Sequence, residues 1–271
     1  MTIEFRRTLQ FVPTKAHARF VEFAEACAEY RYIGVCHGRP GVGKTRSAQT
    51  FAAWSLDSYE PSGPPPDASM AARIKTCRAV FYTARVANTP KSVSQGLYHQ
   101  IYEFGHARLA LEGGHDKHEI LVNAANACPL VIVDEADRLS LASLEHLRDL
   151  YDRNGFGPIL MGMPGLEKRL ARYPQLYSRI GFVHEFKPLG TEETRFLFAK
   201  HEPELGLPFD PDQLDDLEAV AAIIRITQGN FRLIERLVAQ MRRIMALNRL
   251  DGLSADLVAA ARDCLVIGST D

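Results

Sequence analysis

Gly38-Arg39-Pro40-Gly41-Val42-Gly43-Lys44-Thr45 follows the short apolar run Ile33-Gly34-Val35-Cys36 and has the spacing G-x-x-x-x-G-K-[ST] of a phosphate-binding loop. Its glycines let backbone N–H groups turn inward around a β-phosphate. Lys44 is then in reach of the β/γ oxygens, and the Thr45 hydroxyl is a ligand for Mg2+. Such a loop needs a strand before it and a helix after it. Thr45 to about Leu56, with Ser47, Ala48, Phe51, Ala52 and Trp54, supplies the helical pattern. The expected contacts with a nucleoside triphosphate run from Gly38 through Pro40, Gly41, Val42, Gly43, Lys44 and Thr45 to Arg46.

A second run narrows the chemistry. Leu130-Val131-Ile132-Val133 is continuous, apolar and rich in β-branched residues, as expected of a strand buried on both faces of a parallel sheet, and Asp134-Glu135-Ala136-Asp137 ends it. An acid at the carboxyl end of such a strand holds the metal, and an adjacent glutamate polarises an attacking water. Asp134 is therefore expected at the Mg2+ and Glu135 in hydrolysis. Small-molecule kinases need no such glutamate.

Composition sets limits. The chain has 271 residues, enough for one large domain and a small one, and a formal charge of −1. That balance carries no global nucleic-acid signature, so contact with DNA would need a local patch. Five cysteines lie without C-x-x-C spacing, as in a reducing cytoplasm. His115 and His118 sit among Gly113, Gly114, Asp116 and Lys117, the composition of a solvated loop leading into a helix. No segment is long and apolar enough to span a membrane, and Met1 to Arg7 has no sustained apolar run, so the expectation is a soluble, cytoplasmic protein without membrane contact.

Strand-like runs near 33–37, 79–83, 130–134, 157–161 and 182–186 alternate with helical patterns near 91–104, 116–127 and 141–153. In the last of these Leu141, Leu144, Leu147, Leu150 and Tyr151 form one apolar stripe. Tyr59 to Asp67 is too rich in Pro and Gly for helix or interior strand and reads as a loop. After Gly190 the strands stop. Helices are expected from Thr191, over 212–225, from Gly229-Asn230 onward and over 254–265. The expected fold is α/β: a parallel five-stranded sheet in a three-layer αβα sandwich over 33–189, preceded by a helical lead-in at 1–32 and followed by an all-α lid at 190–271.

This order of parts resembles an AAA+ ATPase: phosphate loop, Asp-Glu strand, a further strand, an arginine-bearing segment and a helical lid with Gly229-Asn230-Phe231-Arg232. The resemblance implies ATP and Mg2+ as cofactors and a homo-oligomer, ring or filament. It places at Arg232 the lid arginine that senses nucleotide. It also implies an arginine reaching a neighbour's phosphates, for which Arg179 is the candidate and Arg169 and Arg172 are competitors. More narrowly, Phe11-Val12-Pro13-Thr14, Asp134-Glu135-Ala136-Asp137-Arg138-Leu139, Met161-Gly162-Met163-Pro164-Gly165-Leu166 and Gly229 to Leu237 resemble the DNA-transposition ATPases, the group of the Mu B protein, TnsC and TniB. That implies double-stranded DNA and a transposase as partners. Arg85 and Lys91, around the turn after the second strand, are the DNA candidates, with Arg108 and Lys117 behind them. The alternatives are a loader or motor acting on a protein in replication or secretion, and a nucleotide switch that turns over slowly. The last follows from Met161 and Met163, which stand where the family has a polar residue orienting water.

Overall fold

The computed structural model describes residues 11–53, 66–113, 116–124, 126–200 and 205–265. The chain divides into two compact units. A sheet unit comprises Arg19–Arg39 and Lys44–Phe186, and a helical unit comprises Pro40–Gly43, the described residues up to Ala18 and those from Lys187 on. The described residues of the lead-in read from sequence at 1–32 are thus shared between the two.

The sheet unit holds β1 (Ile33–His37), β2 (Val80–Thr83), β3 (Leu130–Asp134), β4 (Gly157–Gly162) and β5 (Ile180–Glu185). All pair in parallel, in the order β2-β3-β4-β1-β5. β3 and β4 are buried at every position, which explains why they read as unbroken apolar runs. β5, at the edge, alternates between half-buried and exposed residues. Because the strands are parallel, the residues following β1, β3 and β4 emerge at one edge of the sheet, where α/β folds bind ligands.

Connecting helices are α1 (Lys15–Tyr30), α2 (Lys44–Ala52), α3 (Ala68–Thr76), α4 (Pro90–Glu112), α5 (Lys117–Asn123), α6 (Leu141–Asn154), α7 (Leu166–Leu170) and α8 (Pro174–Tyr177). From Arg19 on, α1 buries Phe20, Phe23, Ala24 and Cys27. Leu144, Leu147 and Leu150 of α6 enter the main core with Val131, Val133 and Leu160, and Tyr151 packs against them. Leu141 does not join that stripe: it is 46% exposed in the first turn. α4 runs a further two turns beyond the expected 104, capped by Thr89 with Pro90 at N1 and Ser92 closing a capping box. Trp54 and most of the proline-rich segment lie outside the described residues, while Asp67 accepts the Met70 N–H and caps α3.

The helical unit contains α9 (Thr191–Lys200), α10 (Leu214–Thr227), α11 (Phe231–Asn248) and α12 (Ala255–Asp263). Its own core joins Leu197 and Phe198 to Val220, Ile223, Ile234, Val238, Met241, Leu257 and Val258, with Val12 packed among them. Burying each such side chain stabilises by roughly 1.5–3 kcal/mol.

Candidate active site

In the sheet unit the phosphate loop leaves β1 and Lys44 opens α2. Lys44 is 8% exposed, and its ammonium donates to the carbonyls of Gly38 at 2.6 Å and Arg39 at 3.0 Å. Burial pulls its pKa down, while Cys36 and the carboxylates of Asp134, Asp137 and Glu135 pull the other way. The Thr45 hydroxyl donates to Asp134 Oδ2 at 2.8 Å, so the two expected Mg2+ ligands already touch. Asp134 is buried. Its other oxygen accepts the Glu135 N–H at 2.9 Å, and burial raises its pKa against these bonds. A hydroxyl and a carboxylate beside a loop of backbone amides are the oxygen ligands and N–H donors that a Mg2+-bound triphosphate requires. Arg46 is half-buried in the first turn of α2.

Glu135 stands at the turn after β3 in the left-handed conformation, φ 55° and ψ 38°, an unusual one for a residue with a side chain. Its carboxylate is 3.7 Å from the Arg138 guanidinium and remains about two-fifths exposed. Water can therefore reach it, as a base requires. Asp137 was not foreseen as a site residue. Its Oδ2 accepts the Met163 N–H at 2.7 Å, and a Cβ on Gly162 would lie 2.2 Å from that same oxygen, so only glycine lets the carboxylate approach the end of β4. Met161 is fully buried and Met163 is 39% exposed. The polar group at this strand end comes from the β3 turn instead of from β4.

Arg169 is engaged structurally: it donates to the carbonyls of Asp137, at 2.7 Å, and Leu139, clamping the loop that carries the acids. Arg172 is exposed. Arg179, just before β5, makes a two-pronged contact with Asp152 of α6 at 2.7 and 3.0 Å and donates to the Gln175 carbonyl. That carboxylate raises the arginine's pKa, and the arginine lowers that of Asp152. Asp152 also accepts from Arg148 at 2.6 Å. Arg85 and Lys91 are both exposed. Asn88 between them donates to the Arg85 and Arg138 carbonyls at 3.0 and 2.8 Å, and accepts from the Ser140 N–H at 3.3 Å and the Ser143 hydroxyl at 3.0 Å. Arg108 lies over the Phe104 ring and donates to the Cys77 carbonyl. His118 is exposed on α5, His115 lies outside the described residues, and no group of three or more metal-binding side chains occurs among the described residues.

In the helical unit the tip of the phosphate loop is held by the Gly-Asn-Phe-Arg turn. Asn230 Nδ2 donates to the Pro40 carbonyl at 2.9 Å, and the Arg232 N–H donates to the Gly41 carbonyl at 2.9 Å. Gly41 has φ +81°, and a Cβ there would lie 2.5 Å from Asn230 Oδ1, so this position demands glycine twice over. Asn230 also caps α11 through the Leu233 N–H. The Arg232 side chain is exposed.

A phosphate loop followed by an acidic strand end, with an exposed glutamate beside a buried aspartate, defines a P-loop nucleoside triphosphatase. Residues 27–170 match the AAA domain family. A "potential ATP-binding protein" of Staphylococcus aureus is 42% identical over 272 residues, covering 95% of this chain and 97% of its own. The chain belongs to the AAA family of ATPases: it hydrolyses ATP and uses ATP with Mg2+. It is also 24% identical over 184 residues to the Mu-like prophage FluMu DNA transposition protein B of Haemophilus influenzae, a match covering 65% of this chain and 56% of that protein. Its fold is shared with the Thermotoga maritima RuvB Holliday junction branch migration motor, at a TM-score of 0.58 and 15% identity, over 98% of this chain and 74% of that one. Among the described residues no helix is long and apolar enough to cross a membrane.

Proposed function

We propose that this ATPase assembles with ATP on double-stranded DNA and there recruits or activates a transposase, working in the cytoplasm. The observation that carries this reading is the similarity to a Mu-like DNA transposition protein B over 65% of this chain. Asp137 at the end of β4 supports turnover over a static switch, because it supplies a hydrogen-bonding group where the neighbouring methionines cannot.

In this reading Lys44 and the loop amides bind the β/γ-phosphates, Thr45 and Asp134 hold Mg2+, and Glu135 takes the proton of the attacking water. Arg232 senses the bound nucleotide. Arg179 serves a neighbouring protomer, where its guanidinium offsets charge on the transferred phosphoryl group. Asp152 occupies and orients its fork, and a neighbour's phosphate would take the place of that carboxylate.

Arg85 and Lys91 meet the DNA phosphates. Lys91 occupies the first turn of α4, where the helix dipole disfavours a cation by a few tenths of a kcal/mol to about 1 kcal/mol. In this reading the DNA phosphates offset that cost. The turn is tied through Asn88 to the loop that carries Glu135, which gives DNA contact a route to hydrolysis.

The test is fluorescence anisotropy with a nonspecific duplex, with and without ATP and Mg2+, across a range of salt. Binding should require ATP and weaken with salt, and Lys91→Ala should weaken all sequences alike while lowering the salt slope by about 0.9. Equal affinity without ATP would overturn the assembly. No duplex binding at low salt would overturn the DNA reading and favour a protein substrate.

A further inference from the structure

The exposed side of α11 carries positive charge that the ATPase chemistry does not use. Besides Arg232, assigned above to the nucleotide, the helix has three arginines, Arg236, Arg242 and Arg243, against one acid, Glu235, on a chain whose formal charge is −1. Arg249 adds a further exposed cation just past its end. The same unit gathers exposed acid at Asp215 and Glu218 in the first turns of α10, while α9 and α12 carry both signs.

Arg236 and Arg243 are both exposed and seven residues apart, which puts them on one face within about 20°, separated by about 10.5 Å along the axis. Two surface arginines of this unit are neutralised locally, Arg195 by Glu192 and Arg262 by Asp263, while Arg225 of α10 is exposed like those of α11. Among the described residues Arg236, Arg243 and Arg249 hold no carboxylate. Between Arg236 and Arg243 the one fully exposed side chain is Ala239, and Ala246 follows on the same face.

We infer that this face of α11 is a second nucleic-acid site, in which Arg236 and Arg243, with Arg249, bind the phosphates of one strand of duplex DNA. A separation of about 10.5 Å is on the scale of nearby phosphates of one strand, within reach of flexible arginine side chains. Alanines between the cations let a broad cylinder lie against the helix. A protein partner would look for a large apolar anchor between the charges; none is exposed between Arg236 and Arg243, and Leu247 and Leu250 lie beyond them toward Arg249. Clustering of arginine along one helix face of a near-neutral chain is the footprint of backbone recognition, which carries no base sequence. The inference rests on the DNA-binding reading above and adds a contact surface to it.

The experiment measures binding of the full chain, with ATP and Mg2+, to a nonspecific duplex of about 30 base pairs over a series of salt concentrations. Arg236→Ala/Arg243→Ala should lower affinity tenfold or more near physiological salt and reduce the slope of log affinity against log salt by about 1.8, two phosphate contacts at about 0.9 each. Arg236→Lys/Arg243→Lys should keep most of the slope. DNA-free ATP hydrolysis should be unchanged in both variants. A parent that binds while the alanine variant binds equally well with the same slope overturns this inference alone. A parent that binds no duplex overturns the DNA reading, and this site with it. If the alanine variant loses ATP-dependent self-association in sedimentation, the face belongs to a protein interface, beside the exposed Leu247 and Leu250, and the nucleic-acid assignment is wrong.

Discussion

Lys44, Asp134 and Glu135 divide phosphate binding, metal binding and water activation among three side chains in different surroundings. Lys44 is buried and held by loop carbonyls, Asp134 is buried and bonded to Thr45, and Glu135 is partly open to water. Lys44→Ala should therefore abolish ATP binding in a fluorescent-nucleotide titration. Glu135→Gln should bind ATP normally and lose at least a hundredfold in turnover, the range of a general base. Parental turnover in the glutamine variant would remove Glu135 from the chemistry. These residues were legible in the sequence because phosphate loop and strand-end acid each have a local signature. Asp137 and Asp152 were not. Asp137 gains its place from a contact with Gly162 and Met163, and Asp152 from its fork with Arg179, 27 residues away, and no local pattern encodes such partners.

The strands were read nearly to their ends, since β3 and β4 are buried on both faces, and α11 shows a full helical stripe, whereas α4 runs two turns past its expected end. α3 was missed because it buries only Ile74, leaving no stripe to see, and α8 is too short for periodicity to register. Loops hide more. Asn88 joins the turn after β2 to the segment between β3 and α6 through bonds to the Arg85 and Arg138 carbonyls, the Ser140 N–H and the Ser143 hydroxyl. Asn88→Ala removes all of these without adding bulk. Unfolding in urea should show a loss of about 1–3 kcal/mol, less than the sum of the bonds because the site is partly wet. Hydrolysis should fall while ATP binding persists, since the loop bearing Glu135 loses a tether. Unchanged turnover would mean that the Arg169 clamp alone sets that loop.

For the molecule as a whole, Arg179 offers the sharpest question, because it is held at the surface by its own protomer's Asp152 and not by that protomer's phosphate loop. Arg179→Ala should bind ATP and fail to hydrolyse it, and mixing it with Lys44→Ala should restore part of the activity, each chain supplying what the other lacks. Turnover per chain that is independent of concentration, with no rescue on mixing, would make the enzyme monomeric. The distribution of sulfur has a practical consequence at the same scale. All five thiols are free; Cys27, Cys36, Cys77 and Cys128 are buried in the sheet unit, and burial pushes Cys27, Cys36 and Cys128 up to about 12, far from the thiolate that reacts with electrophiles. Cys264, after α12, is exposed. The native chain thus comes with one natural attachment point for a maleimide dye, on the helical unit, and four silent sulfurs that become reactive when the sheet opens.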